Sequence, residues 1–247
     1  MVAATDAASL ERRSNVRVRP MTQADLRSVV DVHFEVFPGY FLTRMGRRFT
    51  LLYYAQYLTH HRAYALVAEV DGSVVGFIVG GRDVGDLERR FYRRNFATLA
   101  SIIAYRFVTD PVARASILAR APVVRRATRT VLRPKRAAER EAIKRARKPA
   151  RRPTASVLSV GVRERHRGLG LGRMLLERFV DLARDDGAHV VKDTVQRDNV
   201  EQLARKVRAG WREIHADEHR VSFALEIVPA PTEPELAVGG DDLKFTP

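Results

Sequence analysis

A β-branched run that feeds straight into three alternating glycines constrains this chain more than any other feature. It reads Val160-Gly-Val-Arg-Glu-Arg-His-Arg-Gly-Leu-Gly-Leu-Gly-Arg173. The pattern predicts a strand, a glycine-spaced turn and a helix whose apolar face is Leu171, Leu175, Phe179, Leu182 and Ala183. Glycines at 168, 170 and 172 remove side chains where the chain bends, so backbone N–H groups can converge on an anion. The helix's first turn adds unpaired N–H groups and the positive end of its dipole. Arg165, Arg167 and Arg173 add formal charge. The physical conclusion is a phosphate-containing ligand. A dinucleotide fingerprint needs a sixth-position glycine, where Arg173 stands, and a nucleotide P-loop needs Gly-Lys-Ser/Thr, which is absent.

The surrounding chain alternates in a way that argues for an α/β sheet of mixed direction. Val16–Arg19 reads as a short strand stopped by Pro20. Thr22-Gln-Ala-Asp25 is a capping box ahead of a helix carrying Leu26, Val29, Val30, His33, Phe34 and Phe37. A second helix is predicted from Phe41 to Leu58. Tyr64–Val70 and Val74–Val79 form a hairpin across Asp71-Gly72, both of which tolerate positive φ. After a different kind of segment, Val157–Val162 resumes as a strand. Gly187 ends the long helix, Ala188–Val195 is the next strand, and Val200–Val207 the next helix. Trp211–Ile214 and Arg220–Val228 close the pattern as a hairpin. Residues 1–14 read as a flexible tail, 15–228 as the domain, and the Pro-, Gly- and acid-rich 229–247 as a disordered tail.

Composition matters chiefly through its distribution. The formal charge is +15, but fifteen Lys and Arg against two Glu between Val112 and Arg152 supply +13 of it. The rest of the chain is close to neutral, so the charge is local to a helical, Pro-punctuated insert at about 83–153, between the third and fourth strands. Phe91, Phe96, Leu99, Ile102, Ile103, Tyr105, Phe107 and Val108 are too many large apolar residues to leave in water, and should dock on the core. The arginines beyond them are either solvated surface or a site for an anionic partner. Zero cysteines exclude disulfides and thiolate chemistry. No apolar run approaches the ~20 residues of a membrane span, and no signal-peptide pattern opens the chain, so a cytoplasmic location is expected.

The loop resembles that of the GNAT (GCN5-related) N-acetyltransferases, whose pyrophosphate loop has the form Arg/Gln-x-x-Gly-x-Gly/Ala. Arg167-Gly168-Leu169-Gly170-Leu171-Gly172 matches it at every fixed position. Leu158–Val162 is similar to the family's fourth strand, which splays from its neighbour and pairs with the pantetheine arm. Asn199, Gly210 and Trp211 hold the Asn, Gly and aromatic places of the family's downstream motif. The resemblance covers roughly 15–82 and 154–228. It implies a mostly antiparallel central sheet flanked by helices, with acetyl-CoA or a related acyl-CoA as co-substrate. It also implies cofactor contacts from Val160, Gly161, Val162, Arg167–Arg173 and Asn199.

By that resemblance the reaction is direct attack of an amine on the thioester carbonyl. Such a reaction needs a base, a carbonyl-polarising donor and a group to receive the thiolate's charge. The tyrosine that the family uses for the last task aligns with Lys206. Either its ammonium stabilises the thiolate, another residue protonates it, or this helix is rotated. Asp193 takes a place usually apolar in the family and is a candidate base, or else a strand-end residue paired with Lys192 or an arginine. Glu35 and His33 border the usual acceptor side, with His33 read as a helix-face residue.

Three functions follow. The first is an N-acyltransferase for a small amine, such as an amino sugar or a nucleotide- or carrier-linked amine, with the insert near the acceptor site. The second is a catalytically weak CoA-binding module, or an interaction protein that uses 112–152 to bind an acidic carrier protein or an anionic surface. A nucleic-acid-binding protein is disfavoured, because the basic helices lack interleaved aromatics and a helix-turn-helix pattern.

Overall fold

The computed structural model describes residues 15–121 and 152–229. Most of the basic segment and both predicted tails lie outside the described residues. Seven strands form one sheet in the order β1-β2-β3-β4-β5-β7-β6: β1 Val16–Pro20, β2 Ala63–Val70, β3 Ser73–Arg82, β4 Thr154–Val162, β5 Val190–Gln196, β6 Arg212–Ala216 and β7 Arg220–Glu226. All neighbours pair antiparallel except β4 and β5. The fold is the α/β sheet of mixed direction that the residue pattern implies, and mostly antiparallel as the resemblance implies.

Helices cover both faces. The first, α1 (Leu26–Val36), is entered through the capping box: Asp25 accepts from the Thr22 backbone N–H at 2.7 Å, and its other oxygen binds Arg19. With α3 (Arg47–Ala55), α1 packs on Val67, Phe77 and Val79 of the sheet. On the opposite face, α7 (Leu171–Asp185) buries Leu171, Leu175 and Phe179 against Ile78, Val157 and Val191. Each such side chain contributes ~1.5–3 kcal/mol by leaving water, which makes α7 a firm base for the loop that precedes it.

The single helix predicted from Phe41 to Leu58 is corrected by the structure. It is two helices, α2 (Phe41–Met45) and α3, broken at Gly46. Gly46 has φ +93°, a conformation only glycine adopts without strain, and a Cβ there would meet the Arg106 guanidinium at 2.7 Å. The glycine therefore makes room for a side chain from a helix that follows β3.

Three helices follow β3: α4 (Val84–Arg94), α5 (Phe96–Thr109) and α6 (Pro111–Ala119). Phe91 and Leu99 bury against Met45 and Phe49, with Ile102 and Ile103 partly covered, so this part of the apolar run docks on α2 and α3 as its composition requires. Tyr105, Phe107 and Val108 instead remain exposed near the α5–α6 turn. The arginine-rich continuation lies outside the described residues.

Candidate functional site

The site begins with a break in the sheet. β4 pairs with β5 only over Thr154–Ser156 against Val190–Lys192. Beyond that point β4 stays with β3 as far as Val162, while β5 stays with β7 as far as Gln196. A bulge coincides with the divergence: Val79 pairs with Ser159 and Gly80 with Val157, leaving Leu158 as the extra residue on β4. Bulges bend a strand and raise its twist, which accounts for the splay. Past Ser156, the edge of β4 facing β5 pairs with no strand among the described residues, and every second residue of Val160–Val162 directs its backbone groups there.

The glycine turn closes one end of this cleft. A 3-10 turn at Glu164–His166 leads to Arg167, and Gly170 is the N-cap of α7. Gly168 and Gly170 have φ of +87° and +76°, and a Cβ at either would meet nothing within 4 Å. Glycine is therefore demanded by backbone conformation, while the space beside the turn stays open for a ligand. No side chain caps α7, so its first-turn N–H groups face outward. Arg167 lies 3.6 Å from Glu164, and Arg173 hydrogen-bonds Glu177 at 2.7 Å, which raises the Arg173 pKa. Leu169 projects half-exposed from the turn, whereas Leu171 anchors it in the core.

At the apex of the cleft, one residue past the last β4–β5 pair, the structure brings Asp193 and Lys206 together. Lys206, on α8 (Val200–Arg208), places Nζ 2.5 Å from Asp193 Oδ2 and 3.6 Å from the centroid of the Trp211 ring. Both side chains are buried. Burial lowers the Lys206 pKa, and the Asp193 charge opposes that shift without cancelling it. The carboxylate is thus held by Lys206, not by Lys192 or an arginine. Asn199 accepts from the Gln202 backbone N–H at 3.2 Å and so caps α8. Glu35 lies apart from this pair, on the other face, in an ion pair with Arg163 just beyond β4.

The opposite face carries groups that sequence reasoning did not single out. A Cβ on Gly161 would meet the Phe37 ring at 3.2 Å, and Phe37 packs at a tilt against Tyr40 with centroids 5.0 Å apart. The Tyr40 pKa is raised by burial and by Asp198, with Arg220 opposing, so Asp198 before α8 and Arg220 at the start of β7 lie within electrostatic reach of the α1–α2 turn. Arg120 lies over the Phe41 ring at 4.6 Å. Its pKa is lowered by burial and then by the charges of Arg220 and Arg44. Arg44 is oriented by the Gly39 carbonyl at 2.6 Å and by Val112 O at 3.4 Å. Arg120 thus lies within electrostatic reach of Arg44 and Arg220, on the side of the cleft bordered by the α1–α2 turn, its mouth, and among the described residues none of the three has a carboxylate at ion-pair distance.

Beneath the mouth runs a buried polar chain. His33 Nδ1 lies 2.7 Å from Tyr54 Oη, which lies 3.2 Å from Ser159 Oγ on β4. His33 Nε2 lies 3.2 Å from Thr43 Oγ1, which donates to Phe37 O at 2.7 Å. His33 lies on the buried face of α1: it is 2% exposed, and burial lowers its pKa to about 4. The signal in the sequence was a histidine within the buried stripe Val29, Val30, Phe34, Phe37, since a buried ring nitrogen demands a partner.

Comparison with known proteins agrees with this geometry. Residues 136–205 match the model of the acetyltransferase (GNAT) family, a span that includes β4, the glycine turn and most of α8. No curated protein matches the chain in sequence. Among solved structures, the PaiA N-acetyltransferase of Thermoplasma acidophilum, in complex with coenzyme A, superposes with TM-score 0.52 at 10% identity over 86% of this chain and 99% of its own. The ribosomal-protein-S18-alanine N-acetyltransferase of Escherichia coli gives 0.51 at 12% identity over 93% and 99%. An N-acetyltransferase of Staphylococcus aureus Mu50 gives 0.51 at 12% over 86% and 99%. The chain thus matches the acetyltransferase (GNAT) family model through the segment that contains the glycine turn, and it is folded as those acetyltransferases are folded.

Proposed function

We propose that this protein is an acetyl-CoA-dependent N-acyltransferase whose acceptor is a small amine bearing a negatively charged group. The observation that carries the reading is the splayed β4–β5 cleft ending at an uncapped, glycine-opened helix. Its residues fit the co-substrate. The N–H groups of Gly168–Gly172, with Arg167 and Arg173 alongside, suit a pyrophosphate, and the unpaired edge of β4 at Val160–Val162 suits an amide-bearing arm. Asn199, at the start of α8, borders the same arm. When bound, the thioester supplies an activated carbonyl, and the amine attacks it directly.

The chain's own residues would divide the remaining work. Backbone N–H groups of Val160–Val162 polarise the carbonyl oxygen. Lys206 receives the charge that develops on sulfur, and a lysine with a lowered pKa also gives up a proton more readily. Asp193 keeps that ammonium in place; it serves as the base only if the pair opens. Glu35, tied to Arg163, is better suited to fixing the end of β4 than to taking a proton.

Arg44, Arg120 and Arg220 support the choice of acceptor. Uncompensated guanidiniums at the mouth favour a phosphate or carboxylate, which they bind through charge-assisted hydrogen bonds. Amino sugar phosphates and nucleotide- or carrier-linked amines meet that description. The test is CoA release with paired amines that differ only in the anionic group. Turnover confined to the charged member of each pair is expected, and equal turnover of both would remove the acceptor assignment. Lys206 in the family's tyrosine position favours a second reading, a CoA-binding module of weak activity. Tight acetyl-CoA binding without CoA release from any amine would favour it.

A further inference from the structure

The chain Thr43–His33–Tyr54–Ser159 has a direction, and its own chemistry sets it. Phe37 O is a carbonyl and only accepts, so the single hydroxyl hydrogen of Thr43 is committed there. At its contact with His33 Nε2, the Thr43 oxygen must then accept, and Nε2 carries the hydrogen. Burial keeps the ring neutral at ordinary pH, so Nδ1 is bare and accepts from the Tyr54 hydroxyl. With that hydrogen spent, the contact between Tyr54 Oη and Ser159 Oγ requires Ser159 to donate. Ser159 is thereby left with only lone pairs to offer. It stands on β4 beyond the last residue paired with β5, on the face covered by Phe37, and is partly open to solvent.

Resting on the acyltransfer reading, we propose that Ser159 Oγ accepts a hydrogen bond from the N–H of the acceptor amine and so aims the nitrogen lone pair at the acyl carbonyl. Tyr54 and His33 are positioning residues that forbid the serine from turning its own hydrogen toward the amine. A serine free to rotate would offer that hydrogen to the nitrogen lone pair and mask the nucleophile. The chain does not store the proton. Passing it inward would create an imidazolium at His33, whose surroundings disfavour that charge even in mild acid. The proton released on attack therefore leaves by the cleft.

The experiment compares Tyr54→Phe, Ser159→Ala and the double variant with wild type, measuring acetyl-CoA affinity by calorimetry and turnover with the best amine of the panel. Tyr54→Phe keeps the edge-to-face contact with Phe77 and removes only the hydroxyl. Each single variant should lose about tenfold in kcat, the effect of one positioning hydrogen bond, with acetyl-CoA affinity unchanged. The double variant should be no slower than either single, because both break the same chain. Ser159→Thr, which retains the hydroxyl, should restore turnover. Should Tyr54→Phe not fold, the partly open Ser159 variants carry the comparison alone. Wild-type kcat in Ser159→Ala, or additive losses in the double variant, would overturn the proposal while leaving acyltransfer standing. A wild-type protein that neither binds acetyl-CoA nor releases CoA would overturn both.

Discussion

Acidification tests the neutrality of His33, on which the direction of the buried chain depends. An exposed imidazole titrates near 6.5, and burial brings this one down to about 4. The native state thus refuses a proton that the unfolded chain accepts. Stability is therefore complete above pH 6.5, falls as the pH drops from 6.5 toward 4, and loses nothing more from this group below that. At ~1.36 kcal/mol per pH unit, the interval amounts to about 3 kcal/mol. The ring's described neighbours are the hydroxyls of Tyr54 and Thr43 and the rings of Phe34 and Phe37, none of which gains or loses charge in this range. The assay is urea unfolding of wild type and His33→Gln at steps between pH 7 and pH 4. Carboxylates titrate in both proteins and cancel in the comparison, whereas glutamine does not titrate. Wild type should lose about 3 kcal/mol more than the variant across that interval. Parallel curves would show that the His33 ring titrates in the fold as it does in the unfolded chain, and the argument for the donor order would fail with it.

Other consequences are equally open to measurement. Gly170→Leu should abolish acetyl-CoA binding in calorimetry while the far-ultraviolet spectrum stays native, since the added side chain fills the open space beside the turn and the strain of a leucine at positive φ, ~1–2 kcal/mol, stays local to it; unchanged affinity would remove the cradle assignment. Asn199→Ala should destabilise the protein by ~1 kcal/mol in chemical unfolding through loss of the α8 cap. Lys206→Ala leaves Asp193 buried and unpaired, so a stability loss of ~3–5 kcal/mol is expected. Lys206→Met with Asp193→Asn should recover much of that stability without recovering turnover, and full activity in the double variant would place the thiolate's partner elsewhere. Changing Arg125, Arg126 and Arg129 to Gln should flatten the dependence of turnover on ionic strength, because steering over more than a Debye length of ~8 Å is screened by salt. Identical salt profiles would mark the basic segment as solvated surface.

What could be read without coordinates was whatever the chain encodes locally. The strand–glycine turn–helix unit was legible because a strand, a turn needing positive φ and a helix start are contiguous from Val160 to Arg173. The Asn199 cap was legible for the same reason. The second helix was overextended because its apolar pattern runs through Gly46 unbroken; only the approach of Arg106, sixty residues later, explains why the chain turns there. The pairing of Asp193 with Lys206 depends on how α8 rolls onto β5, which periodicity does not specify. Ser159 is invisible as a site residue until β4 is seen to leave β5 and to bulge, and Tyr54 reaches it across 105 positions of sequence. The arginine mouth likewise joins three segments, at Arg44, Arg120 and Arg220, that no spacing rule connects.

On the proposed function, the charges around the cleft act on the acceptor as well as on the co-substrate. An alkylamine is mostly protonated at neutral pH, and an ammonium has no lone pair with which to attack. Here the amine would approach through a mouth where Arg120 is held below its usual range partly by the repulsion of Arg220 and Arg44. A second cation brought to that place meets the same repulsion, and nearby positive charge favours the neutral form of an amine. Lys206 adds little at the apex, because Asp193 offsets it at 2.5 Å. Asp198, the carboxylate felt by Tyr40, opposes the arginines at the rim. An anionic group on the acceptor reconciles the two requirements: it draws the molecule to the guanidiniums, while its amine reaches Ser159 in a field that favours loss of the extra proton. A cationic mouth thus selects for the anionic tail and prepares the nucleophile, a combination that a mouth lined with carboxylates would reverse.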